Sequence, residues 1–159
     1  MKYIPSIMAD DKYVIRRLQK MDYDNGIIEL LGQLTSISKD EITRAKFDEY
    51  VNALLSNDNH LTIVVEDKLK GTKIIGTSTL LVEPKLIHNI SKVGHIEDVV
   101  VDSEYRSHGI GKMMIDHLTN KGELMGCYKV ILDCDEKNAG FYEKCGFKRK
   151  GVEMACYFE

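Results

Sequence analysis

The stretch His95-Ile96-Glu97-Asp98-Val99-Val100-Val101, followed by Asp102-Ser103-Glu104-Tyr105-Arg106-Ser107-His108-Gly109-Ile110-Gly111-Lys112, decides the fold. Its first seven residues are an apolar, β-branched run broken by two adjacent carboxylates, which reads as a strand. Beyond the loop, Ile110, Met113, Met114, Ile115 and Leu118 recur at helical intervals. Strand, glycine loop and helix therefore follow in order. The two glycines fall where first-turn amides lack helical partners and the helix dipole is positive, so the junction suits a pyrophosphate. Arg106 and Lys112 add positive charge there. Two common nucleotide loops are excluded. A dinucleotide fingerprint needs a third glycine where Met114 stands, and a P-loop needs glycine at Arg106 and Ser or Thr at Met113.

Outward from this junction, Val130-Ile131-Leu132 reads as the next strand, residues 138–145 as a short helix and 147–157 as a final strand. On the N-terminal side, residues 13–18 are β-rich, and 25–34 carry Ile27, Ile28, Leu30, Leu31 and Leu34 at roughly helical spacing. Ser38 and Glu41 form a capping-box pattern ahead of a second helix marked by Ile42, Ala45, Phe47, Val51, Leu54 and Leu55. Residues 61–66 and 74–82 read as an antiparallel hairpin around a polar turn at 67–71. The expected architecture is α/β (α+β): a mixed central sheet flanked by helices, in a single domain over residues 1–159.

Composition narrows the function classes. A chain of 159 residues, 43% hydrophobic and 30% charged, has the apolar content to fold and is not a disordered protein. Twenty-two basic against 25 acidic residues give a net charge of −3, which argues against a nucleic-acid surface or a membrane coat, so any anion site must be local. No apolar run approaches the roughly 20 residues of a spanning helix, and Met1-Lys2-Tyr3-Ile4-Pro5 lacks a signal-peptide core. A cytoplasmic protein is expected. Cys127, Cys134, Cys145 and Cys156 include no Cys-x-x-Cys pair, so no metal site and no redox motif is anticipated.

Arg106, Gly109 and Gly111 match the pattern Arg/Gln-x-x-Gly-x-Gly/Ala. With them the chain resembles the GNAT superfamily of N-acetyltransferases. Further blocks resemble those GNAT enzymes that act on glucosamine 6-phosphate: Gly94-His95-Ile96-Glu97-Asp98, Gly126-Cys127-Tyr128-Lys129, Leu132-Asp133-Cys134-Asp135 and 138–147. Leu31-Gly32-Gln33-Leu34-Thr35 is similar to the segment bordering their sugar site. The resemblance implies a GNAT fold and acetyl-CoA as cosubstrate. It implies acetylation of the 2-amino group of D-glucosamine 6-phosphate, by direct transfer in a ternary complex, in UDP-N-acetylglucosamine biosynthesis. It also implies a homodimer with a sugar site shared between subunits.

The same resemblance assigns residues. Glu97, Asp133 and Tyr142 are implied as catalytic. Val99, Val100, Val101, Arg106, Ser107, His108, Gly109, Ile110, Gly111, Lys112, Asn138, Tyr142 and Lys144 are implied to hold the coenzyme, with a strand bulge exposing the Val99 amide. Thr35, Lys85, His88, Glu97, Asp98, Tyr128, Lys129 and Asp133 are implied to meet the sugar phosphate. Members commonly carry a basic residue near the extreme C-terminus that reaches the neighbouring subunit's sugar phosphate. Here the sequence reads Ala155-Cys156-Tyr157-Phe158-Glu159, and Lys148, Arg149 and Lys150 are the nearest substitutes.

The residues themselves leave alternatives open. Glu97 and Asp98 point to opposite faces of a regular strand, so one carboxylate faces a site or both are solvated. Asp133 lies at a strand's C-terminal end, a position that orients a substrate or caps a turn. In the pair Phe141-Tyr142 one ring packs inward while the other presents its hydroxyl, and Asn138 contacts the coenzyme or caps its helix. Rival functions are an acetyltransferase for a polyamine or protein amine, which calls for an acidic groove, and a non-catalytic acyl-CoA-binding module.

Overall fold

The computed structural model describes residues 12–37 and 39–158. Five strands form one sheet in chain order: β1 (Tyr13–Arg17), β2 (His60–Asp67), β3 (Lys73–Pro84), β4 (Lys92–Val101) and β5 (Cys127–Ile131). The first four pair antiparallel, and β5 runs parallel to β4. A parallel pair needs a crossover, and the helix after the glycine loop supplies it. Helices α1 (Ile27–Leu31) and α2 (Arg44–Leu55) lie on one face of the sheet. A one-turn element, α3 (Ile87–Ile90), caps the β3–β4 hairpin. The crossover helix α4 (Ile110–Leu124) covers the other face, and α5 (Glu136–Lys144) follows β5.

Alternation along the strands divides the core in two. Ile63, Val65, Ile75, Leu80 and Ile96 pack with Ile110, Met114, Ile115 and Leu118 of α4. Val64, Ile74 and Val100 face the other way, onto Ile27, Ile28, Leu30, Phe47, Val51 and Leu54. Helix α4 approaches β5 closely because residue 122 is glycine: a Cβ there would stand 2.7 Å from Val130 Cγ2. Among the described residues no helix is long and apolar enough to cross a membrane.

Two expectations are corrected. Helix α2 is capped by Thr43, whose hydroxyl accepts from the Lys46 amide at 3.5 Å, and Glu41 lies in the preceding turn. Ser38 lies outside the described residues. The capping-box spacing competed with a threonine placed directly before the helical turn, and the local cap won. Residues 147–157 form no strand, and Val152, Met154, Tyr157 and Phe158 are each at least 87% exposed. Their β-prone composition does not bring them onto the sheet, whose outer β5 edge takes no further strand in one copy of the chain.

The opening of the fold is fixed by a buried ion pair. Asp22 is 0% exposed; its carboxylate takes two bonds from the Arg16 guanidinium, at 2.6 and 2.8 Å, and a third from the Gln19 amide at 2.8 Å. Arg16 also reaches Glu66 on β2 at 2.8 Å, which ties the turn after β1 to the sheet. Asp22→Ala leaves the guanidinium with one carboxylate, Glu66, and takes from the Gln19 amide its carboxylate acceptor. The expected loss is about 2–3 kcal/mol in urea unfolding, whereas a loss below about 0.5 kcal/mol contradicts this view of the pair.

Candidate active site

Strand β4 departs from regularity at Glu97-Asp98-Val99. Thr79 pairs with Glu97 and Thr77 with Val100, so Asp98 and Val99 both stand against Ser78. Asp98 adopts φ +53°, the left-handed region in which few non-glycine residues sit. The Ser78 hydroxyl donates to the Glu97 carbonyl at 3.1 Å and holds the bulge in place. The bulge implied by resemblance is therefore present. Here β4 also loses its neighbour: pairing with β5 runs from Lys92–Cys127 to His95–Ile131 and stops. From Ile96 onward that edge of β4 faces a gap.

The glycine loop closes one end of this gap. Asp102 accepts from the Glu104 amide at 3.0 Å and pairs with Lys73 at 2.7 Å, which fixes the turn Ser103–Tyr105. Ser107 and Gly109 take φ of +68° and +79°. The first helical bond of α4 runs from the Met113 amide to the Gly109 carbonyl, leaving the Ile110, Gly111 and Lys112 amides with no carbonyl of their own helix to reach. A Cβ on Gly109 would meet nothing within 4 Å, whereas one on Gly111 would stand 3.1 Å from Phe141 Cζ. Gly111 thus lets the Phe141 ring of α5 rest on the start of α4. These features fit a pyrophosphate with an extended chain running from it. Arg106, Ser107 and His108 are exposed there, while Lys112 is paired with Asp116 at 2.6 Å.

Electrostatics links two of the three implied catalytic residues, Glu97 and Asp133. Partial desolvation raises the Glu97 carboxyl from its ordinary value although the residue is exposed; Asp98, Asp133 and Glu153 add to the shift and His95 opposes it. Asp133, exposed in the segment after β5, is therefore within electrostatic reach of the bulge. Asp98 acts in turn on His60 of β2 and Tyr50 of α2. Tyr142 is half-buried against Phe141, with ring centroids 4.9 Å apart, and against Phe147 at 6.3 Å. Burial, with Cys134 and Cys145 nearby, pushes its phenol up to about 12, so it keeps its proton at neutral pH. Asn138 lies inside the first turn of α5, its amide donating to Asp135, and does not cap the helix. Lys144 is exposed at the other end.

The cations implied for the sugar phosphate lie on the β3–β4 hairpin turn and at the start of β5, behind the paired stretch Lys92–His95. Turn α3 holds His88, Asn89 and Ile90 at φ of 53°, 61° and 56°, a left-handed run that is costly for L-residues. The His88 ring lies 4.3 Å from that of Tyr128, which joins the turn to β5. Lys129 sits 5.5 Å from the same ring and Lys85 opens the turn. Thr35 is placed apart, exposed in the loop after α1. Arg149 is held by Glu136 at 2.6 Å and Glu143 at 3.0 Å on its own α5. It is therefore committed elsewhere rather than left free as a phosphate ligand.

Sequence reasoning passed over three residues. The Gln33 side chain accepts from the Ser103 amide at 2.9 Å and so ties the loop after α1 to the coenzyme loop. Glu83 and His95 bond to each other beside Lys85. The alternation of β4 carried a signal for His95, since it precedes Glu97 by two and shares its face.

This fold and this site are those of an acyl-CoA-dependent transferase, and the family model described as "Acetyltransferase (GNAT) family" matches residues 27–147. The chain belongs to that family. It is 43% identical over 150 residues to the glucosamine 6-phosphate N-acetyltransferase of Arabidopsis thaliana, a match spanning 94% of this chain and 99% of the relative. Glucosamine 6-phosphate N-acetyltransferase 1 of Dictyostelium discoideum is 42% identical over 152 residues, spanning 96% of this chain and 95% of the relative. The crystal structure of the Arabidopsis enzyme matches with a TM-score of 0.88, covering 92% of this chain and 99% of that one. That of a Trypanosoma brucei acetyltransferase, 34% identical with the same coverage, gives 0.83.

The raised Glu97 carboxyl gives a pH prediction. A carboxyl shifted upward takes its proton at a higher pH than an ordinary one, so activity that needs ionised Glu97 falls early as pH drops. The acid limb of kcat is expected above the ordinary glutamate range near about 4.3, and Glu97→Gln should abolish it. A wild-type limb at or below that range contradicts the assignment.

Proposed function

We propose that this chain transfers the acetyl group of acetyl-CoA to the 2-amino group of glucosamine 6-phosphate, by direct attack in a ternary complex. The products are N-acetylglucosamine 6-phosphate and CoA, and the reaction serves UDP-N-acetylglucosamine biosynthesis in the cytoplasm. The observation that carries this reading is the open edge of β4 from Ile96 on, with the glycine loop following its far end and the β3–β4 hairpin turn behind its paired stretch. Unpartnered amides and glycines suit a pyrophosphate at the loop, and Lys85, His88 and Lys129 suit a phosphorylated sugar beside the turn. The relatives named above supply the substrate by similarity.

Acetyl-CoA supplies a thioester carbonyl as the electrophile. The bulge leaves the Val99 amide without a regular ladder partner, and we assign it to the carbonyl oxygen, where a donor is worth most as negative charge develops. Val100 and Val101 continue the strand edge along the coenzyme, and Asn138 and Lys144 meet it from α5. The sugar amine must be neutral when it attacks. Asp133 orients it, and Glu97 or water takes its proton. The carbon–sulfur bond then breaks, and the protonated Tyr142 hydroxyl donates to the departing sulfur. Asp98 and Tyr128 border the sugar, with Thr35 at the margin. A polyamine or protein amine would be opposed by Lys85 and Lys129, which disfavours that rival.

The same reading makes the protein a homodimer in which the segment 152–158 of one copy lies on the other. Tyr157 and Phe158, 91% and 93% exposed in one copy, are apolar surface of the kind a second copy covers. Glu153 lies within electrostatic reach of Glu97 of the same copy, which supports a course for this segment near the site. Light scattering should therefore give twice 18.1 kDa, and a fully active monomer would contradict the dimer.

Two kinetic outcomes test the chemistry. Release of free CoA should favour glucosamine 6-phosphate over unphosphorylated glucosamine by about a hundredfold or more in kcat/KM; equal rates refute the phosphate reading. Tyr142→Phe should lower kcat about tenfold to a hundredfold while leaving acetyl-CoA affinity within about twofold. Unchanged turnover makes Tyr142 a packing residue.

A further inference from the structure

One carboxylate in this site has been given no role. Glu83, next to the last residue of β3, places Oε1 2.6 Å from Lys85 Nζ and Oε2 2.9 Å from His95 Nε2. Lys85 and His95 hold its carboxyl below the usual range, so it is an ionised acceptor at neutral pH and His95 Nε2 carries the donated hydrogen. His95 is not a loose surface residue. It pairs across the sheet with Leu81 of β3 and is the last residue of β4 to register with β5, opposite Ile131. Two positions further along the same face comes Glu97. Lys85, for its part, begins the hairpin turn that carries His88, and its amide closes that turn on the Ser91 carbonyl at 2.8 Å. A line of side chains, Lys85, Glu83, His95 and Glu97, thus crosses β3 and β4 from the hairpin turn to the bulge.

We propose that Glu83 and His95 are positioning residues for the phosphate end of the sugar: Glu83, itself held by His95, fixes the Lys85 ammonium relative to β4 and so sets the distance between the phosphate and the bulge. The proposal rests on the reading of Lys85 as a phosphate contact. A lysine ammonium on a four-carbon stem samples many rotamers, and an anchor built into the sheet removes most of that freedom before the ligand arrives. The ammonium has three donors; Glu83 takes one and leaves two for phosphate oxygens. An opposing effect exists, since a carboxylate beside the cation weakens its pull on an anion. Positioning and screening predict opposite signs for the loss of Glu83, and this makes the proposal testable.

The experiment is steady-state kinetics on the full chain, with melting temperatures as a check on folding. Glu83→Gln is expected to raise KM for glucosamine 6-phosphate about fivefold to twentyfold, with kcat, KM for acetyl-CoA and kcat/KM for unphosphorylated glucosamine each within about twofold. His95→Leu should act in the same direction and His95→Gln, which keeps a donor, should restore most of the loss; this pair carries the test if Glu83→Gln does not fold. In a Lys85→Ala background, Glu83→Gln should add less than about twofold, because its effect passes through the lysine. A KM that falls or stays constant in Glu83→Gln, while Lys85→Ala raises it, overturns the positioning role and leaves the phosphate reading intact. An undiminished Glu83→Gln effect in the Lys85→Ala background overturns it as well. If Lys85→Ala itself leaves KM unchanged, the phosphate reading fails, and the proposal with it.

Discussion

Parallel pairing between β4 and β5 lasts from Lys92 to His95 and then ends, while β4 runs on to Val101. Backbone donors and acceptors on the exposed stretch of β4 need partners, and an extended ligand with amides of its own can provide them. The bulge at Asp98 sharpens the constraint. By inserting an extra residue against Ser78 it turns strand backbone out of the ladder at the point where the gap opens. Glu97 lies on β4 and the glycine loop follows it, while Asp133 and Tyr142 follow β5, so the position of each is tied to one of these two strands.

Packing keeps the opening in place. Helix α4 lies flat on β3, β4 and β5, close enough to β5 that Gly122 has no room for a side chain. Its buried residues, among them Ile110, Met114, Ile115 and Leu118, therefore fix where its first turn points. At that first turn Gly111 accepts the ring of Phe141, so the position of α5 follows from that of α4. A helix seated by apolar burial thus aims a set of amides, and a second helix seated on the first aims a phenol. Polar ties complete the frame: Lys73 and Gln33 hold the Asp102–Ser103 corner from β3 and from the loop after α1.

Much of this was legible in the sequence, for a physical reason. Helix α4 and the β2–β3 hairpin carry strong periodicity because each buries apolar residues on a fixed face, and burial is what periodicity records. Local motifs and family resemblance singled out Glu97, Asp133 and Tyr142, and the bulge expected beside Glu97 is present. What failed or was missed depended on partners distant in sequence. Thr43 displaced the Ser38 and Glu41 pattern because capping is settled by the residue at the helix start. The segment 147–157 has strand composition but pairs with no edge of its own copy, and composition does not choose a partner. Glu83 and His95 are twelve residues apart and meet only through the antiparallel register of β3 and β4.

The most direct test of the account is a crystal structure of the protein with CoA and N-acetylglucosamine 6-phosphate bound together. The account predicts the pantetheine arm lying between β4 and β5, the pyrophosphate on the amides of Ile110, Gly111 and Lys112, and the sugar's acetamide oxygen at the Val99 amide. The sugar phosphate should rest on Lys85 with Glu83 still bonded to the lysine. A coenzyme bound outside the gap, or β5 closed onto β4 beyond His95, would contradict it.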